Sequence, residues 1–137
     1  MDLSLCSIDM KRGILEFAGA FNSGYLVRDE TITELKADRV SVGLTQSQQV
    51  QTFTNLTIPL EKNDIIYMFT DGYADQFGGP REKKFMYRRF RHLLLTIHKL
   101  TLDQQKTILE ETIENWMGKV DQIDDILVIG FKPLSSS

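Results

Sequence analysis

The chain has 137 residues, 42% of them hydrophobic and 26% charged, the balance of one globular domain that can bury a core. Its formal net charge of -3 offers no bulk attraction to nucleic acid or to an anionic membrane, although a local basic patch is compatible with it. No apolar run approaches the ~18 residues of a membrane span, the N-terminus MDLSLCSIDMKRG has no signal-peptide character, and a lone cysteine, Cys6, excludes an internal disulfide and a cysteine-based metal cluster. A cytoplasmic location is the expectation. In that setting the glycosylation match Asn55-Leu56-Thr57 carries no meaning.

In chain order, residues 3–9, 14–18, 25–28 and 31–36 are short runs rich in Leu, Ile, Val, Phe and Tyr. Lys11-Arg12-Gly13, Asn22-Ser23-Gly24 and Asp29-Glu30 separate them, a pattern that predicts four strands of an antiparallel meander. A polar stretch, Thr45 to Gln51, interrupts the pattern before a strand over Thr52–Ile58. Pro59 and Asn63-Asp64 mark a turn into Ile65–Phe69, a continuous apolar run of the kind buried on both faces. Two helices are predicted next. Met86, Phe90, Leu93, Leu94 and Ile97 form the apolar stripe of the first, and Leu102, Leu109, Ile113, Trp116 and Met117 that of the second. Thr101 with Gln104 has the form of a capping box and Gly118 that of a stop. A last strand over Ile126–Ile129 closes a domain at residues 1–132, leaving a polar tail at 133–137.

Asp71 follows the end of the Ile65–Phe69 run, and Asp124 and Asp125 precede the last run. If these two strands are antiparallel neighbours, the carboxylates meet on one edge of the sheet. Like charges held close repel unless a cation joins them, and hard divalent ions such as Mg²⁺ or Mn²⁺ take oxygen ligands. On pattern alone, solvated turn aspartates account for the same residues equally well.

The stretch FTDGYADQFGGP, followed by QIDDILVIG, resembles the C-terminal metal motifs of the metal-dependent protein phosphatases, specifically the bacterial SpoIIE-like (protein phosphatase 2C-like) serine/threonine phosphatases. FAGAFNSGYLVR and DRVSVGL are similar to further landmarks of that subfamily, so the resemblance covers nearly the whole chain. It implies an α+β fold, an antiparallel β-sandwich flanked by helices, with two Mn²⁺ or Mg²⁺ ions per complete site. A metal-activated water would hydrolyse phosphoserine or phosphothreonine. Carried over by position, Asp71 and Asp124 match catalytic ligands of one metal, Asp75 matches a ligand of a third, weaker ion, and Gly72 matches the turn glycine.

The family's remaining ligands, including a bridging Asp-Gly, have no counterpart in this sequence, and neither Asp2 nor Asp9 stands in an Asp-Gly setting. The N-terminal portion of the domain is therefore expected to be missing. Ser23-Gly24 and Ser41 stand where the subfamily usually has proline-containing turns. The resemblance implies a phosphorylated regulatory protein of the anti-sigma-factor-antagonist type as substrate. Unpaired strand edges further predict a homo-oligomer, with no nucleic-acid or membrane contact by this segment. The alternative is a non-catalytic phosphatase-like interaction module in bacterial signalling. Three other features compete for attention. Cys6 to Arg12 has the Cys-x₅-Arg spacing of tyrosine phosphatases, but Cys6 falls inside a predicted strand. Arg81, Lys83, Lys84, Arg88, Arg89 and Arg91 form a basic run, read either as a solvated helix face or as a grip for an acidic partner. His92 and His98 share no ligand spacing with the aspartates.

Overall fold

The computed structural model describes residues 1–43 and 51–134. In chain order the elements are β1 (Leu3–Asp9), β2 (Ile14–Ala20), β3 (Gly24–Arg28), β4 (Thr31–Leu35), β5 (Leu56–Pro59), β6 (Ile65–Phe69), α1 (Gly72–Asp75), β7 (Phe77–Gly78), β8 (Lys83–Lys84), α2 (Tyr87–Ile97), α3 (Leu102–Met117) and β9 (Val128–Phe131). The polar stretch expected over 45–51 lies almost wholly outside the described residues. Most of the 133–137 tail does too.

The strands form an antiparallel two-sheet sandwich with orders β1-β2-β5 and β4-β3-β6-β9, plus a small β7-β8 hairpin. The predicted meander is corrected here. The first four strands are two hairpins in different sheets, because β2 pairs with β5 and β3 with β6. Phe21 takes a left-handed φ of 60° and Asn22 donates its N–H to the Ala20 carbonyl at 2.8 Å, so the chain changes sheet within three residues. Both hairpin turns follow from their sequences. Asp9 Oδ1 accepts from the Lys11 and Arg12 N–H groups, each at 3.0 Å. Asp29 and Glu30 have φ of 46° and 64°, the two left-handed residues of a type I′ turn, whose twist matches that of its strands.

Alternation along β6 divides the core. Ile65, Tyr67 and Phe69 pack under the helices with Tyr73, Phe90, Leu94, Ile97, Leu109 and Ile113. Ile66 faces the other sheet with Leu15, Phe17, Leu26 and Leu35. Burial on both faces explains the unbroken apolar run, each such side chain contributing roughly 1.5–3 kcal/mol. Asp64 enters β6 as a buried carboxylate, held by Arg28 Nε at 2.9 Å and Arg28 Nη2 at 2.7 Å. Pro59, expected in the turn, instead ends β5 on the sheet edge, where its missing N–H costs no ladder bond.

In α2, Phe90, Leu94 and Ile97 are buried as expected, but Met86 is not part of the stripe: it is the N-cap residue, with φ 80° and 54% exposure. In α3 the Thr101–Gln104 capping box is present, and Gly118 ends the helix with φ 54°. The last strand begins two residues later than predicted. Thr70 replaces the first rungs of the ladder: its hydroxyl donates to the Asp125 carbonyl at 2.8 Å and accepts from the Leu127 N–H at 3.1 Å. As an edge strand, β9 leaves Ile129 48% exposed, and Leu127 before it is 53% exposed. Among the described residues no helix is long and apolar enough to cross a membrane.

Candidate active site

The β6–β9 pairing runs Ile66↔Phe131 to Phe69↔Val128, and the Thr70 N–H reaches the Leu127 carbonyl at 3.0 Å. Continuing that register sets Asp71 across from Ile126, next to Asp124 and Asp125 on the same sheet edge. Two local devices hold the segments together. Gly72 has no side chain because its backbone lies against the Asp125 peptide: a Cβ there would stand 2.1 Å from the Asp125 oxygen and 2.8 Å from its carbonyl carbon. Gln76, fully buried, donates its Nε2 to the Phe77 and Asp121 carbonyls at 3.0 Å each. That clamp fixes the start of the loop carrying Asp124. Gln76 Oε1 has no partner among the described residues.

The three aspartates singled out in the sequence have different surroundings. Asp71 is half-buried, and its Oδ1 accepts a hydrogen bond from the Tyr87 hydroxyl. Burial, and then that bond, push the Tyr87 phenol well above its ordinary range, so it stays protonated and stays a donor. Asp124 is exposed, and its Oδ1 accepts from the Asp125 N–H at 2.7 Å. Asp75, at the end of α1, forms a solvent-facing ion pair with Lys84 at 3.4 Å. The donors are carboxylate oxygens, the type that Mg²⁺ or Mn²⁺ prefers. Their number is short: among the described residues no three His, Cys, Asp or Glu side chains gather closely enough to hold a metal ion. The segment supplies donors of that type without a complete ligand set among the described residues.

Sequence reasoning missed Tyr87 and Thr70. Tyr87 is 16 positions from Asp71 and reaches it only because α1 and the short hairpin fold the chain back: the Phe85 N–H bonds to the Gln76 carbonyl at 2.9 Å and the Met86 N–H to the Ala74 carbonyl at 2.8 Å. No local pattern announces that contact. The hairpin is locked by Trp116, whose Nε1 donates to the Gln76 carbonyl at 3.0 Å and whose carbonyl accepts from the Gly79 N–H at 2.8 Å. Cys6 and His98, two of the competing residues, have other surroundings. Cys6 pairs with Phe17 inside β1, and burial pushes its thiol up, the opposite of what a nucleophile needs. His98 is tied to the Leu95 carbonyl at 2.6 Å.

The chain matches the family described as Stage II sporulation protein E (SpoIIE) over residues 1–133. No curated protein matches it significantly. Among solved structures it is similar to the SiaA-PP2C domain of Pseudomonas aeruginosa, at 32% identity and a TM-score of 0.87, covering 96% of this chain and 51% of that one. It is also similar in fold to the phosphatase domain of the cell fate determinant SpoIIE from Bacillus subtilis, at 13% identity and a TM-score of 0.64, covering 96% and 57%. The photosystem II phosphatase PBCP shares the fold at 15% identity and a TM-score of 0.55, covering 82% and 44%. The chain therefore spans about half the length of the first structures it matches. With the two-sheet sandwich, the paired aspartate motifs and these matches together, the chain belongs to the SpoIIE family and has the protein phosphatase 2C-like fold.

Proposed function

We propose that this chain is the C-terminal part of a metal-dependent protein serine/threonine phosphatase domain acting in the cytoplasm. The observation that carries the reading is the pairing of β6 with β9, which draws Asp71 and the Asp124–Asp125 pair to one sheet edge. In the complete protein, Asp71 and Asp124 would hold one Mn²⁺ or Mg²⁺ of a two-ion site, with Asp75 available to a further ion once Lys84 releases it. The ions would supply a water activated for in-line attack on phosphorus. This chain's own contribution is positional. Tyr87 orients the Asp71 carboxylate by hydrogen bonding to one of its oxygens, as an outer partner commonly does for a carboxylate ligand. Thr70, Gly72 and Gln76 keep the loop bearing Asp124 against the end of β6. The substrate class is a phosphoserine- or phosphothreonine-bearing regulatory protein of the anti-sigma-factor-antagonist type.

The test compares the isolated chain with the full-length protein. Residues 1–137 alone are expected to show negligible Mn²⁺-dependent hydrolysis of p-nitrophenyl phosphate, and the full-length protein to dephosphorylate a phosphoserine protein in a way that Asp71→Asn abolishes. Strong turnover by the isolated chain, lost in Asp71→Asn, would show that the ligand set is complete within this segment. One observation favours a second reading, a non-catalytic interaction module: the described residues gather no three-donor cluster. Full-length protein that binds its partner but never turns it over, with Mn²⁺ or Mg²⁺ in excess, would establish that reading.

A further inference from the structure

A groove of about 820 Å³ runs along α2 beside Thr112 of α3, with Phe85 and Leu93 contributing apolar surface and Met86, Arg88, Arg89 and His92 among its walls. Among the described residues no acidic side chain lines it, although the chain as a whole carries a formal charge of -3. Of the two arginines here, Arg88 is not explained by contacts within the fold. Arg88 and Arg89 lie in the first turn of α2, where the helix dipole disfavours positive charge by roughly 0.3–1 kcal/mol each. Arg89 has local partners, the Phe85 carbonyl at 3.1 Å and the Trp116 ring at 4.7 Å. Arg88 and His92 are exposed and form no salt bridge among the described residues. At the mouth, Met86 has a left-handed φ of 80° with its side chain 54% exposed, an unfavourable conformation for this residue. The next residue, Tyr87, bonds Asp71, so a single three-residue segment, Phe85–Tyr87, borders the groove at one end and the candidate site at the other.

We infer that this groove is a docking surface for an acidic protein segment carrying apolar side chains, held by Arg88 and His92 and by the apolar surface of Phe85, Met86 and Leu93. Charge complementarity selects the occupant: an unopposed basic wall over apolar surface suits glutamate- or aspartate-rich peptide interspersed with leucine-like residues. As a docking site for the phosphoprotein substrate it rests on the phosphatase reading. As a binding site it does not, because no metal and no turnover enter the measurement.

The probe is a fluorescein-labelled peptide of Glu-Glu-Leu repeats, titrated with the chain and with the full-length protein by fluorescence anisotropy without metal. The expected result is saturable binding that weakens as salt rises from about 50 mM to about 300 mM and falls at least about ten-fold in the double variant Arg88→Glu/His92→Glu. The milder Arg88→Gln/His92→Gln pair serves if the first variant loses its cooperative melt. Lys62→Glu, in the turn before β6 at the far end of that strand, is expected to change affinity less than about two-fold. Absence of saturable binding, or equal affinity in the parent and the Arg88/His92 variants, overturns the inference. So does a loss in Lys62→Glu as large as that in the Arg88/His92 variants. Tighter capture of a single-stranded oligonucleotide or of phosphatidylserine vesicles than of the peptide would also overturn it, in favour of a different partner. Loss of peptide binding in a variant that still dephosphorylates p-nitrophenyl phosphate in the full-length protein separates docking from chemistry.

Discussion

Replacing Gly72 by alanine tests how tightly the ends of β6 and β9 are pressed together. Gly72 is the first residue of α1, so helix propensity by itself favours alanine by up to about 1 kcal/mol. Sterics oppose it. The new Cβ would sit 2.1 Å from the Asp125 oxygen, 2.8 Å from its carbonyl carbon and 3.2 Å from Ile126 Cγ1, so backbone has to move by more than about 1 Å to restore ordinary contact. A flexible side chain could swing aside, but this obstacle is a peptide group. Its oxygen also accepts the Thr70 hydroxyl at 2.8 Å, a bond worth about 1 kcal/mol that the shift breaks. Overpacking of this kind costs about 1–3 kcal/mol. The net expectation for Gly72→Ala is a loss of about 2 kcal/mol by urea unfolding, which lowers the melting temperature by roughly 7 °C. Gly13→Ala is the control: its φ is +62° but nothing lies within 4 Å of a Cβ, so only the backbone penalty of about 1 kcal/mol applies. A Gly72→Ala chain within about 0.5 kcal/mol of the parent would refute the close approach, and with it the juxtaposition of Asp71 and the Asp124 loop.

Tyr87→Phe removes the donor to Asp71, and Mn²⁺ affinity of the full-length protein measured by calorimetry is expected to fall about ten-fold; unchanged affinity would show that Tyr87 does not orient that carboxylate. Phe90→Ala empties a fully buried site ringed by Tyr25, Phe69 and Tyr73, at centroid distances of 6.1, 5.0 and 4.8 Å, and should cost about 3–5 kcal/mol in denaturant unfolding. Arg28→Ala leaves the buried Asp64 carboxylate without its two guanidinium bonds and should cost about 3 kcal/mol, with Arg28→Lys intermediate because an ammonium cannot make both. Leu5, Leu127 and Ile129 are 64%, 53% and 48% exposed, on or beside the edge strands β1 and β9; light scattering of the isolated chain across a concentration series is therefore expected to give a dimer or larger mass, and a strictly monomeric mass would show that these edges do not associate.

Elements whose signals are local were legible in the amino-acid order. The Thr101–Gln104 box and Gly118 delimit α3 because capping is decided within one helical turn. Ile65–Phe69 announced a doubly buried strand because burial on both faces removes the need for alternation. The two Asp motifs, Asp-Gly after one apolar run and Asp-Asp before another, carried the family resemblance through their spacing and order, and the match to the SpoIIE family bears that resemblance out. What the sequence could not disclose depends on which distant surfaces meet. Nothing in residues 14–28 distinguishes a meander from two hairpins in separate sheets, since each strand has the same half-apolar character and only the partners β5 and β6, drawn from far along the chain, decide it. The delayed start of β9 is set by a threonine 57 positions away taking over a backbone bond. Met86 fits the helical stripe by count, yet the return of the hairpin onto α1 turns it into an exposed cap. The hold of Tyr87 on Asp71 belongs to the same class: helix caps and apolar runs are energies of neighbours in sequence, whereas a hydroxyl finds a carboxylate across a fold only after the packing of the elements between them has brought the two together.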